Sequence, residues 1–213
     1  MSDAAKSAEK SAEKSAEKRA VKETAVARLI LASKSPRRQE LMEKLQIPFA
    51  CEPSDVEENV PEDLPAEETA EYLSGIKAED VYRRHAGEGK TVIGSDTVVV
   101  LDGKIYGKPA DRADAFRMLR DLSGKIHRVL TGVTLVSDAG TEHFTVATEV
   151  EFYDLTDRHI EEYLDTGEPF DKAGAYGIQG YGALLVKRIN GDYYTVMGFP
   201  IAEIAQRLRK DNK

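Results

Sequence analysis

Residues 91–101, Thr-Val-Ile-Gly-Ser-Asp-Thr-Val-Val-Val-Leu, read as a strand whose last four residues are continuously apolar. Asp102-Gly103 follows at once. That dipeptide signals a two-residue type I′ hairpin, with Lys104-Ile105-Tyr106 opening the return strand. A chain of this kind holds at least one antiparallel pair, which excludes an all-parallel sheet. Asp96 stands inside the run. Burying a carboxylate there is costly unless a cation or a metal pairs with it. Asp96 is therefore the foremost catalytic candidate on physical grounds. An aspartate bonded to backbone N–H groups is the structural rival.

The rest of the chain intermixes helices with strands. Leu29–Ala32 reads as a short buried strand. Ser35-Pro36 suits an N-cap followed by proline at the first helical position. That helix carries Leu41, Met42 and Leu45 on one face and has to end by Ile47, before Pro48. Glu67–Tyr82 reads as a second helix striped by Leu73 and Ile76, with Lys77 beside the stripe as a snorkelling surface lysine. Asp111 caps a third helix that Gly124 stops. Residues 126–136 and 142–152 read as two strands, with His127 as a structural histidine at a strand edge. A helix over Thr156–Asp165 leads to a glycine-rich segment, 167–182, able to approach a ligand closely. Ala183–Ile189 and Asp192–Val196 read as a second hairpin over Asn190-Gly191. Gly198-Phe199-Pro200 opens the last helix. The fold class is α/β: a single domain with a mixed, strongly twisted sheet flanked by helices.

The 213 residues suffice for one domain with a sizeable core, or one domain and a tail. A hydrophobic content of 41% against 32% charged residues indicates a soluble globular protein. No stretch has the apolar length of a membrane span. The single cysteine, Cys51, rules out an intrachain disulfide and fits a reducing cytoplasm. It reads as a packed thiol rather than a nucleophile. A net charge of −8 argues against broad nucleic-acid binding, though a local basic pocket is compatible with it. Residues 1–27 repeat Ser-Ala-Glu-Lys without an apolar stripe and read as a solvated extension ahead of a domain at 28–213. Asp55-Val56-Glu57-Glu58 reads as a solvated charge run in a loop over 51–66.

Arg37 and Arg38 fall in the first turn of the helix opened by Pro36. Helix starts favour acids, so two arginines and Lys34 oppose the dipole unless an anion joins them. Free backbone N–H groups, serine hydroxyls and two guanidinium forks make a phosphate site. A solvated basic turn is the plainer alternative.

Six motifs succeed one another along the chain: S-K-S-P-R-R-Q-E-L from 33, G-S-D-T from 94, G-K-P from 107, T-G-V from 131, G-E-P-F-D-K-A-G-A-Y-G-I-Q-G from 167 and I-N-G-D-Y from 189. Their identity and order resemble the Maf family of nucleoside triphosphate pyrophosphatases, over roughly residues 28–209. The resemblance implies cleavage of a nucleoside triphosphate to its monophosphate and pyrophosphate. It maps the general base onto Asp96 and phosphate binding onto Ser33, Arg37, Arg38, Lys77 and Lys108. It places an acid at Glu58 and implies that Glu58 and Asp96 hold Mg²⁺ or Mn²⁺. S-P-R-R, S-D-T and Y-G-I-Q-G together resemble the branch acting on dTTP and UTP, with Arg37, Thr97 and Gln179 as discriminating residues. A homodimer is also implied. A non-catalytic nucleotide-binding regulator linked to septum formation, or a hydrolase releasing one phosphate at a time, are the other classes compatible with the motifs.

Overall fold

The computed structural model describes residues 28–210; the solvated extension expected at 1–27 lies outside the described residues. Three short or long strands meet first: β1 (Leu29–Leu31), β2 (Phe49–Cys51) and β3 (Thr91–Leu101). β1 runs parallel to both others. The Asp102-Gly103 turn then returns the chain as β4 (Lys104–Tyr106), antiparallel to β3. Asp102 and Gly103 both take positive φ, as a type I′ turn requires. β5 (Ile126–Ser137) and β6 (Gly140–Phe152) form a long antiparallel pair, and β7 (Val186–Asn190) adds to β6. The sheet order is β2-β1-β3-β5-β6-β7, with β4 beside β3. It is the mixed sheet expected from the sequence.

The helices are α1 (Pro36–Glu43), α2 (Ala66–Tyr82), α3 (Arg112–Leu122), α4 (Asp157–Leu164), α5 (Tyr193–Val196) and α6 (Ile201–Lys210). Alternation along the strands divides the core by face. Ile30, Val92 and Val136 pack on Ala78 and Val81 of α2. Leu31, Ile93, Val133 and Leu135 pack on Leu41 and Met42 of α1 and Ile204 and Leu208 of α6. Further along the same strands, α3 and α4 cover Val99, Leu101, Val150 and Phe152. Leu119, Leu122 and Ile160 are fully buried there. Each such side chain contributes about 1.5–3 kcal/mol relative to exposure.

Four local details follow, the last three of them corrections. α1 ends at Glu43, within the limit at Ile47 that Pro48 sets, where Lys44, Leu45 and Gln46 bond back three residues and Gln46 takes φ +56°. Ser35 does occupy the N-cap position, but its hydroxyl makes no cap bond. Residues 192–196 are not a return strand. Asp192 accepts from Thr195 N–H at 2.6 Å and caps α5, which overrides the β preference of Tyr-Tyr-Thr-Val. Cys51 is exposed rather than packed, because β2 is the edge strand of the sheet.

One property of the topology positions the site. β3 pairs with β1 only over 91–93 and with β4 only over 99–101, so along 94–98 it has β5 as its one neighbour. Asp96 and Thr97 point to opposite faces of the strand, yet both reach the same opening at this gap in the sheet edge.

Candidate active site

Two glycines bring α2 down onto the sheet. A Cβ on Gly94 would stand 2.2 Å from the Ser74 carbonyl oxygen, and one on Gly132 would stand 2.3 Å from the Ala70 carbonyl group. Gly132 is the cross-strand partner of Asp96. A buried bond between Ser74 Oγ and Thr134 Oγ1, 2.7 Å long, fixes the helix on β5. This close seating puts Lys77 over β3, with Nζ 2.5 Å from Asp96 Oδ1 and 3.0 Å from Glu58 Oε2. The Lys77 side chain is only 13% exposed, so the snorkelling reading fails. The burial of Asp96 is offset by a cation, and no backbone N–H bonds its carboxylate among the described residues. Losing one member of a buried pair of this kind costs about 3–5 kcal/mol.

The acidic loop is not freely solvated either. Ser54 Oγ donates to Asp80 Oδ2 on α2 at 2.9 Å, and the Asp55 N–H bonds the same oxygen at 3.3 Å. Anchored there, the loop delivers Glu58 to Lys77 while leaving its carboxylate half in solvent.

The opposite wall is built on Arg38. Its Nε donates to the Gly198 carbonyl at 2.9 Å, Nη1 to Ser33 Oγ at 3.5 Å and Nη2 to Thr97 Oγ1 at 3.4 Å. Gly198 has φ +95°, and a Cβ there would come within 3.0 Å of Thr97 Oγ1. Ser33 Oγ also accepts the Ser35 N–H at 3.1 Å, so the turn into α1 is closed by Ser33. Burial pushes the Arg38 pKa down; Asp96 opposes this and Arg37 adds to it. Arg37 turns the other way, with Nη1 3.1 Å from Asp171 Oδ2. Asp171 also takes Lys172 Nζ at 2.6 Å. Desolvation pushes the Asp171 carboxyl up, but Lys172 and Arg37 together hold it below the usual carboxylate range.

The glycine-rich segment forms three short 3₁₀ turns rather than a strand or a long loop. Lys172 lies folded under Gly177, where a Cβ would meet its Cε at 2.7 Å. Tyr176 closes the floor, its hydroxyl 2.8 Å from His127 Nε2. His127 is buried, not at an open edge, and its role is structural: its ring meets Phe152 and Tyr176 edge to face. Burial pushes its pKa down to about 4. Gln179 and Lys108 stand exposed on the rim, and Lys108 has no hydrogen bond or ion pair among the described residues.

Every site residue expected from the sequence lines this one cleft of about 720 Å³. The sequence reading missed Asp171, Lys172, Tyr176 and Thr131. The first three lie inside the glycine-rich motif, whose glycines mark a close turn without marking those side chains, and Thr131 lies in T-G-V, behind Thr97 and off the cleft wall. No group of three or more His, Cys, Asp or Glu side chains able to hold a metal occurs among the described residues. Asp96 and Glu58 nevertheless converge on one cation, the Lys77 ammonium. Two carboxylates completed by substrate phosphate oxygens are a usual donor set for Mg²⁺.

A mixed sheet whose strand β3 is unpaired on one side around a carboxylate set among cations defines an α/β protein with a charged cleft. Comparison with known proteins makes this specific. The family model described as "Maf-like protein" matches residues 28–211, and the chain belongs to that family. The dTTP/UTP pyrophosphatase of Halalkalibacterium halodurans is 48% identical over 181 residues, covering 85% of this chain and 94% of that protein. The dTTP/UTP pyrophosphatase of Thermococcus gammatolerans is 48% identical over 182 residues, covering 85% and 95%. Among solved structures, the Staphylococcus aureus Ham1 protein aligns with a TM-score of 0.51 over 86% of this chain and 98% of that one, at 16% identity, a likeness of fold alone.

Proposed function

We propose that this chain hydrolyses dTTP and UTP to the nucleoside monophosphate and pyrophosphate. The observation that carries the reading is the Lys77–Asp96–Glu58 cluster facing Arg38 across one cleft. The names of the relatives supply the substrate pair.

The side chains divide the work as follows. Arg37, Arg38 and Lys108 balance the triphosphate charge, with Ser33 holding Arg38 in place. Lys77 has three N–H donors; Asp96 and Glu58 take two, and the third is left for a phosphate oxygen. Asp96 Oδ1 is turned to Lys77, so Oδ2 takes the proton of the water that attacks the α-phosphorus. The pyrophosphate leaves against the arginines. Asp96 and Glu58 would hold a divalent cation, Mg²⁺ or Mn²⁺, which supplies charge neutralisation at the phosphates when bound. Thr97 and Gln179 face the base.

The same reading carries a cytoplasmic setting, supported by the single cysteine, and no nucleic-acid partner, supported by the net charge of −8. Among the described residues no helix is long and apolar enough to cross a membrane. The Maf family resemblance supports a homodimer, which light scattering tests. No feature of the cleft favours a non-catalytic regulator. A nucleotide panel with Mg²⁺ or Mn²⁺, scored for monophosphate and pyrophosphate, tests the whole. Preference for dTTP and UTP is expected; preference for 7-methyl-GTP or dITP rejects the substrate assignment.

A further inference from the structure

We propose that Thr131, a buried residue that touches no substrate, sets the base preference of the cleft by fixing which way the Thr97 hydroxyl proton points. The inference rests on the pyrimidine reading above. Thr97 and Thr131 are cross-strand partners on β3 and β5, with their hydroxyl oxygens 2.9 Å apart. Either could donate in isolation. Their outer neighbours remove the choice.

Thr131 Oγ1 lies 2.7 Å from the Thr195 carbonyl oxygen. A carbonyl only accepts, so the single Thr131 proton lies there; without it two lone pairs would face each other. The contact with Thr97 therefore needs the Thr97 proton. At the other end, Arg38 Nη2 stands 3.4 Å from Thr97 Oγ1 and can only donate. The chain Arg38 to Thr97 to Thr131 to Thr195 is thus polarised in one direction. Thr97 has spent its proton and one lone pair, and it offers the cleft one acceptor and no donor.

Thymine and uracil carry one ring N–H on their pairing edge, at N3. Cytosine has a lone pair at that position. An acceptor-only Thr97 bonds the first two and meets the third lone pair to lone pair. Gln179, an amide on the rim, can then donate to an exocyclic oxygen beside N3. A site polarised in this way rejects the wrong base by leaving polar groups unpaired, the strongest form of small-molecule discrimination.

The test measures kcat/KM for dTTP and dCTP in the wild type, Thr131→Val and Thr131→Ser. Valine keeps the shape but releases the Thr97 proton, which can then rotate towards cytosine N3. The Thr195 carbonyl still accepts the Gly198 N–H at 2.9 Å, so the variant does not orphan it. We expect the dTTP:dCTP ratio to fall at least about fivefold in Thr131→Val and to stay within about twofold of wild type in Thr131→Ser. An unchanged ratio in Thr131→Val, with its thermal midpoint confirming the fold, overturns the proposal. Should Thr131→Val not fold, the wild type with 3-methyl-dTTP, which lacks the N3 proton, decides: a loss of at least about tenfold is expected, and turnover equal to dTTP overturns the inference. A wild type with equal kcat/KM for dTTP and dCTP overturns the inference at once, whereas a preference for 7-methyl-GTP or dITP overturns the dTTP and UTP reading on which it rests.

Discussion

Lys77 Nζ lies 2.5 Å from Asp96 Oδ1, although the two residues are 19 positions apart and belong to a helix and a strand. Each explains the other's burial. The carboxylate on β3 is tolerated because the ammonium reaches it, and the ammonium is held because Gly94 and Gly132 let α2 touch the sheet. The placing of Lys77 against Asp96 therefore depends on this one packing contact.

Asp96→Asn keeps the shape of the side chain but cannot take a proton. Turnover should fall at least about a hundredfold, the scale of general-base removal. Lys77→Met should behave differently, because it leaves a buried carboxylate unpaired: a stability loss of about 3–5 kcal/mol is expected alongside lost turnover. Urea unfolding of both variants separates them. Full turnover in folded Asp96→Asn would sink the assignment.

Gly132→Ala should push α2 away from β5, since its Cβ would meet Ala70 backbone atoms at 2.3 Å. Backbone cannot move aside as a flexible side chain can. We expect a loss of at least about 2 kcal/mol, in the range of overpacked cores, together with reduced kcat as Lys77 leaves Asp96. Gly107→Ala is the control for stability, as nothing lies within 4 Å of its Cβ position. Equal melting temperatures for the two variants would remove the packing argument.

Much of this arrangement can be read from the sequence, and the exceptions share a cause. The β3–β4 hairpin, the Asp111 cap and the apolar face of α3 are local, and local pattern reveals them. Asp96 was legible because a charge inside an apolar strand demands a partner. Its partner was not legible. Lys77 and Glu58 look solvated beside their sequence neighbours, and only the seating of α2 and the Asp80 anchor change that. Asp192–Val196 misled because the same residues suit a strand by propensity and a helical turn by capping, and the cap prevails. Thr131 stands in the T-G-V motif, yet nothing local shows its two bonds, which run to residues far along the chain.

His127 predicts a pH effect. Burial pushes its pKa from the usual 6.5 down to about 4, so the folded protein keeps the ring neutral while the unfolded chain binds a proton. Stability is then unaffected above about pH 6.5 and is lost as pH falls towards about 4, by about 3 kcal/mol in total. His127→Gln lacks this titration. Its urea midpoint should fall less steeply than that of the wild type between pH 6.5 and 4, and parallel curves would contradict a buried neutral ring.

The central claim is that Asp96 directs water to the α-phosphorus, with pyrophosphate leaving intact. No Walker-type loop, the usual cradle of a γ-cleaving enzyme, occurs in the sequence. Hydrolysis of dTTP in ¹⁸O-labelled water, followed by mass spectrometry of the products, tests the claim most directly. Label is expected in dTMP and none in pyrophosphate. Label in pyrophosphate, or accumulation of dTDP with labelled orthophosphate, would contradict it.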